Sequence, residues 1–243
     1  MKRFLNTTLF CLLISCLLAG TGMALEESKL IPAESGKINV AIAMTQNANL
    51  IDFAGPWEVF SNVRVKGRGN SKNEDTPEDD QYPFRLYIVS DTTQPTSISV
   101  GMTVVPQYTF DDAPAPAIVV VGAQQGSPKM KEWLQKVAVD PHTQVIMSVC
   151  TGAFRLAATG LLDGKEATTH HGYYDDFSKY FPKVKLQKGT RFVRSDNKIF
   201  TAAGLTSGID LALHIVDLYF GRDVAQATAD WLEYQGQDWR QAS

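Results

Sequence analysis

The sequence predicts an α/β fold built on a mostly parallel sheet. Short apolar runs alternate with longer amphipathic segments along most of the chain, the pattern of βα units. The 243 residues are 44% hydrophobic and 20% charged, an ordinary globular composition, and show no internal repeat and no second domain. Disordered, collagen-like and disulfide-scaffold classes are thereby excluded.

The elements follow in order. Ile38 to Ala43 is a buried strand. Gly55 before Pro56 marks a helix from Pro56 to Val63, because proline suits a first helical turn; Asp52 then falls in the loop after the first strand. Arg85 to Ser90 and Ala117 to Val121 are further strands, and Ser127 caps a helix running to Val137 with Pro128 at its first position. Gln144 to Val149 is a strand that runs straight into Cys150, and Gly152 to Thr159 a helix stopped by Gly160. Arg191 to Thr201, broken by Ser195-Asp196-Asn197, is a hairpin. Ser207 caps a helix from Gly208 to Phe220, in which Ile209, Leu213, Val216 and Phe220 keep the spacing of a buried face. A last helix covers Asp223 to Tyr234.

Two segments break this rhythm. Residues 64–82 form a polar insertion in which Arg64, Lys66, Arg68 and Lys72 precede Glu74, Asp75, Glu78, Asp79 and Asp80. It reads as a solvated surface loop, with a flap over the site as the sharper alternative. At the start, Lys2 and Arg3 precede an apolar run, and Gly22 and Ala24 are small residues placed for a cut before Leu25. Residues 1–24 therefore read as a cleaved secretory signal and 25–243 as the mature domain, periplasmic or secreted. Asn6, Thr7 and Thr8 interrupt a run that a membrane anchor would extend to about 20 apolar residues. Leu13-Ile14-Ser15-Cys16 leaves a lipoprotein signal, lipidated at Cys16, as the alternative. After cleavage Cys11 and Cys16 are gone and Cys150 stands alone, either well buried or useful.

Charge limits the partners. Lys and Arg total 23 against 26 Asp and Glu, without a basic run, so the footprint needed to neutralise a phosphate backbone is missing. Neither nucleic acid nor, after signal cleavage, a membrane is expected as a partner; a small-molecule substrate is. No helix-turn-helix segment follows residue 234.

Met147-Ser148-Val149-Cys150-Thr151-Gly152-Ala153-Phe154 carries the chemistry. A buried strand ending in a nucleophile, followed by small residues that open a helix, is the sequence form of a nucleophile elbow. The helix N-terminus favours a thiolate and a lowered Cys150 pKa. The Thr151 N–H, with one from Gly122 or Ala123 at a neighbouring strand end, forms a candidate anion-binding pair. The alternative is a small buried cysteine filling a strand-helix joint. Asp52 and His170, in Thr168-Thr169-His170-His171, are candidates to join Cys150, because strand C-terminal ends share one edge of a parallel sheet. His142 and His214 read as structural, Glu58 as a first-turn residue satisfied by the helix dipole. No metal-ligand spacing is present among the histidines.

Asp52-Phe53-Ala54-Gly55-Pro56-Trp57-Glu58-Val59-Phe60, the Ser-Val-Cys-Thr-Gly elbow, Gly160-Leu161-Leu162-Asp163-Gly164 leading to Ala167-Thr168-Thr169-His170, and Thr201-Ala202-Ala203-Gly204 with Gly208-Ile209-Asp210 resemble the ThiJ/PfpI superfamily. Within it the chain is most similar to isonitrile hydratases and to the amidotransferase-like sensor domains of AraC-type regulators. The resemblance implies a flavodoxin-like three-layer sandwich of the class I glutamine amidotransferase type. It also implies a homodimer, with no metal and no organic cofactor required. By position it makes Cys150 the nucleophile, Asp52 the acid/base carboxylate, Thr151 a substrate-positioning neighbour and His170 the histidine near the cysteine. The activity implied is a thiol-dependent hydratase or lyase acting through a Cys thioimidate. A glyoxalase- or deglycase-like enzyme, amide hydrolysis, and a non-catalytic oxidant or small-molecule sensor remain the alternatives. The sequence departs from the superfamily at Val121-Gly122-Ala123, where Pro-Gly-Gly is common; a left-handed backbone at the second glycine position would strain Ala123.

Overall fold

The computed structural model describes Leu30 and residues 36–68 and 81–241. The expected signal segment and the acidic half of the insertion lie outside the described residues. In chain order the elements are β1 (Ile38–Ala43), α1 (Leu50–Ser61), β2 (Phe84–Ser90), β3 (Thr96–Ser97), β4 (Thr103–Val104), β5 (Tyr108–Thr109) and β6 (Ile118–Val121). Next come α2 (Pro128–Val139), β7 (Val145–Val149), α3 (Gly152–Ala157), β8 (Glu166–Ala167), α4 (Tyr174–Tyr180) and β9 (Lys185–Leu186). The chain closes with β10 (Phe192–Arg194), β11 (Ile199–Ala202), α5 (Ser207–Phe220) and α6 (Arg222–Trp231).

Seven strands form the central sheet in the order β10-β11-β7-β6-β1-β2-β5. All pairs are parallel except the β10–β11 hairpin. Val119, Val120 and Val121 of β6 and Val145, Ile146 and Met147 of β7 are completely buried, as strands covered on both faces must be. Their side chains alternate between two cores. One lies under α1, α5 and α6 and holds Val120, Met147 and Val149; the other lies under α2, α3 and α4 and holds Val119, Val121 and Ile146. This is a three-layer α/β sandwich. Each fully buried Val or Ile contributes roughly 1.5–3 kcal/mol, which fixes the register of the strands whose ends build the site.

Several helices depart from their expected bounds. α1 begins at Leu50, so Pro56 sits inside it and Asp52 lies in its first turn rather than in a loop. An internal proline costs about 3 kcal/mol in an isolated helix. Here tertiary packing outweighs that: Gly55 and Pro56 are buried where α1 meets α5, and a Cβ on Gly55 would come 2.9 Å from Ile209 Cγ1. Glu58 consequently lies beyond the first turn and bonds Asn62 Nδ2 at 3.2 Å. Thr206, not Ser207, is the N-cap of α5, without a side-chain cap bond. α5 is buried almost all round, because it is wedged between the sheet and both α1 and α6; Leu213 and Val216 are fully buried, while Ile209 and Phe220 are only partly so. The Ser127 cap is formed as the sequence indicates, its Oγ accepting from the Met130 N–H at 3.1 Å.

The strand order places β1 beside β6, with the chain running outward to β2 on one side and to β7 on the other. That is a topological switch point, where open parallel sheets bind ligands outside their C-terminal strand ends. Asp52, Gly122 and Cys150 follow β1, β6 and β7 respectively.

Candidate active site

Cys150 occupies the joint between β7 and α3 with φ 59°, a left-handed backbone that a non-glycine residue adopts only when its surroundings hold it there. Three contacts do so. The Cys150 N–H donates to the Ala203 carbonyl at 2.8 Å, the Thr169 hydroxyl donates to the Cys150 carbonyl at 2.9 Å, and Gly152 lets the chain pass against β6. A Cβ at Gly152 would stand 2.0 Å from the Val121 carbonyl oxygen, so only glycine fits. The backbone N–H groups of Thr151 and Leu205 both hydrogen-bond toward the sulfur. Leu205 is itself left-handed, at φ 52°.

Asp52 is fully buried beside the sulfur. Its Oδ2 accepts from the Ala123 N–H at 2.9 Å, and its Oδ1 is buried without a tight hydrogen bond among the described residues. The thiol and the carboxyl group are close enough to share a hydrogen bond. Burial pushes Asp52 up to about 7, opposed by the Ala123 N–H and the thiol. Burial, and after it the neighbouring carboxylate, pushes the Cys150 thiol up to about 11, opposed by the two N–H groups.

This corrects the expectation of a lowered thiol pKa. α3 has only six residues, and its dipole with two N–H bonds does not offset a sulfur that is 5% exposed next to a carboxylate. At neutral pH the resting group is a thiol.

Ala123 also differs from expectation. Its φ is not positive, so it carries no strain. Its N–H is committed to Asp52, which removes it from the expected anion-binding pair. Gly122 serves the carboxylate as well: a Cβ there would come 2.9 Å from Asp52 Cβ. Thr151 stands half-buried as the N-cap of α3, without a side-chain cap bond.

His170 does not pair with Cys150. Its Nδ1 accepts from the Gly172 N–H at 3.1 Å, its ring stacks on His171 with centroids 4.5 Å apart, and it packs on Gly204. Burial and the neighbouring His171 hold its pKa below the usual histidine range. His142 is exposed and bonded to Asp140, and buried His214 bonds the Trp239 carbonyl.

A family model described as DJ-1/PfpI matches residues 38–218. The chain belongs to the DJ-1/PfpI family. An isonitrile hydratase from Pseudomonas putida is 28% identical over 202 residues, 81% of this chain and 78% of that protein. The HTH-type transcriptional regulator GbdR of Pseudomonas aeruginosa is 26% identical over 63% of this chain, but this covers only 42% of the regulator. Among solved structures, a THiJ/PfpI family protein from Pseudomonas syringae superposes with a TM-score of 0.67 at 23% identity, covering 84% of this chain and 77% of that one.

In this DJ-1/PfpI domain three contributors lacked a clear sequence signal. Leu205 has no chemistry in its side chain and acts through its N–H. Thr169 lies in the motif that drew attention to His170, and its hydroxyl reaches the elbow where the imidazole does not. Gln124 ties the ends of β1 and β6 together, its Oε1 accepting from the Thr45 N–H at 2.6 Å and its Nε2 donating to the Ala43 carbonyl at 2.9 Å.

Proposed function

We propose that the protein is a thiol-dependent hydratase that adds water to a small electrophile of the isonitrile type, with Cys150 as nucleophile and Asp52 as acid and base. The observation that carries this reading is the buried pair: a carboxyl group with a pKa of about 7 within reach of a thiol at a nucleophile elbow. A group poised near neutrality can both take and give a proton. The likeness to an isonitrile hydratase over most of both chains supports the substrate class.

The steps follow from the proton count. Ionised Asp52 takes the proton of Cys150, creating the thiolate only when substrate is at hand. The sulfur attacks the terminal isonitrile carbon, and Asp52 delivers its proton to that same carbon, giving a thioimidate. Asp52, again ionised, removes a proton from water as the oxygen adds to the carbon. Asp52 passes that proton to the nitrogen, the carbon–sulfur bond breaks, and an N-substituted formamide leaves as the adduct's hydroxyl proton passes to the sulfur, which restores the thiol and the ionised Asp52. The net reaction consumes one isonitrile and one water. The N–H groups of Thr151 and Leu205 stabilise the sulfur anion as it forms and as it departs.

Export to the periplasm or beyond, and assembly as a homodimer, belong to the same reading. The test is turnover of isonitriles and of methylglyoxal by the wild type, Cys150→Ala and Asp52→Asn. Formamide release abolished in Cys150→Ala and reduced about 10²–10⁴-fold in Asp52→Asn supports the hydratase. Turnover of methylglyoxal alone replaces it with a carbonyl-directed enzyme, and turnover of neither removes the catalytic assignment.

A further inference from the structure

A cavity of about 330 Å³ opens beside the elbow, lined in part by His170, His171, Thr190, Arg191, Leu205 and Thr206. Its connection to the reactive sulfur is Leu205, which borders the cavity and directs its N–H at Cys150. The polar wall is built rather than incidental. Arg191 donates from Nε to Asp210 Oδ2 at 2.7 Å and through Nη2 to the same oxygen, while Nη2 also reaches Thr206 Oγ1 at 3.2 Å. Asp210 is completely buried, so the guanidinium is anchored from within, and a third of its side chain remains exposed. Tyr234 adds a further hydrogen bond to this pair.

The charge balance sets the ligand class. The Arg191 charge is matched by Asp210, and the Asp238 carboxylate lies 4.0 Å from Arg191 Nε. Burial and the neighbouring His171 hold the His170 pKa below the usual histidine range, which disfavours its charged form. The wall therefore offers hydrogen-bonding groups without net positive charge, and a carboxylate would meet two acids behind the one cation. An alkyl chain would desolvate the exposed part of the guanidinium and the Thr206 hydroxyl without adding a hydrogen bond to them.

We propose that this cavity is the subsite for the untransformed part of the substrate, and that it selects an uncharged hydrogen-bonding substituent such as an amide over a carboxylate or a plain alkyl chain. The inference rests on the hydratase reading for the identity of the reacting end, and on the cavity alone for the substituent.

Two measurements separate the two claims. The first compares kcat/KM for 2-isocyanoacetamide, isocyanoacetate and n-propyl isocyanide, in the wild type, Arg191→Lys and Thr206→Val. The expected result is a preference of about tenfold for the amide, the size of one well-made hydrogen bond, carried in KM and reduced in both variants. The second measures protection of Cys150 from iodoacetamide by N-formylglycinamide, N-formylglycinate and N-propylformamide, which needs no turnover. Amide-selective protection without turnover of any isonitrile supports the subsite and removes the hydratase. Equal turnover or equal protection across the three compounds, a preference for the carboxylate, or an amide preference untouched in a folded Thr206→Val and Arg191→Lys overturns the subsite and leaves the hydratase standing.

Discussion

The Ala123 backbone N–H donates to Asp52 Oδ2 across 2.9 Å, and this bond from the loop after β6 helps hold a fully buried carboxyl group against Cys150. The Ala123 N–H and the neighbouring thiol do not repay the loss of hydration, and the Asp52 pKa rises from 3.8 to about 7. Between those values the folded protein keeps a proton that the unfolded chain has released. Stability therefore falls as pH rises through this window, by roughly 4 kcal/mol once both states are ionised. Asp52→Asn keeps an acceptor for Ala123 and has no charge to bury. It should be more stable than the wild type at pH 8, with the difference vanishing near pH 4. Chemical denaturation at the two pH values checks this; equal or lower stability at pH 8 contradicts the burial argument.

The same pair sets the reactivity of the sulfur. Because the Asp52 charge is the second cause of the raised thiol pKa, after burial, Asp52→Asn should move the pH dependence of Cys150 alkylation below about 11. If the proposed hydratase reading holds, turnover in the wild type rises through about 7, as Asp52 ionises, and falls toward about 11, where the pair loses its last proton. These limbs belong to the coupled pair and not to either residue alone. An alkylation profile identical in the wild type and Asp52→Asn means that the two groups do not interact.

The sheet and the elbow were legible in the sequence because local pattern determines both. Short β-branched runs such as Ile118–Val121 and Val145–Val149, too short for a helix, mark buried strands, and Val149-Cys150-Thr151-Gly152 announces a tight passage between strand and helix. Asp52 was found as a residue but misplaced in the fold. Pro56 locally signals a helix start, and only its packing against α5, remote in sequence, makes it an interior residue. A helix end, the one local effect on the thiol, points to a lowered pKa, while the burial and the carboxylate that reverse it arrive from other elements. Leu205 was illegible for the same reason: its contribution is a backbone N–H placed by tertiary structure.

Thr169 provides a test of how the elbow is held. Its hydroxyl donates to the Cys150 carbonyl at 2.9 Å, and both groups are buried. Thr169→Val preserves shape and removes the donor, leaving the carbonyl with the long 3.4 Å bond from the Ala153 N–H. The expected cost is about 1–3 kcal/mol in stability, together with a shifted pH profile of Cys150 alkylation as the elbow relaxes. Thr169→Ser restores the hydroxyl and should recover the wild-type profile. If Thr169→Val is destabilised but its profile is unmoved, the threonine supports the fold without positioning the sulfur.

Two glycines at the site predict opposite outcomes for the same substitution. At Gly152 the new Cβ would stand 2.0 Å from the Val121 carbonyl oxygen, a backbone atom locked in the central sheet. Relief would require α3 to lift off β6, so Gly152→Ala should lose more than about 4 kcal/mol and yield little folded protein. At Gly204 the new Cβ would stand 2.3 Å from His170 Cδ2, but that atom belongs to a half-buried side chain and not to backbone. The imidazole can swing away, leaving its bond from the Gly172 N–H and its stack on His171. Gly204→Ala should therefore fold with a modest loss of stability and an altered His170 environment, visible in its imidazole proton shifts. Because His170 makes no hydrogen bond to Cys150, iodoacetamide should alkylate the cysteine within a few-fold of the wild-type rate, the scale of a lost weak contact. A drop in alkylation as large as that expected for a broken elbow would show that the imidazole governs the sulfur after all.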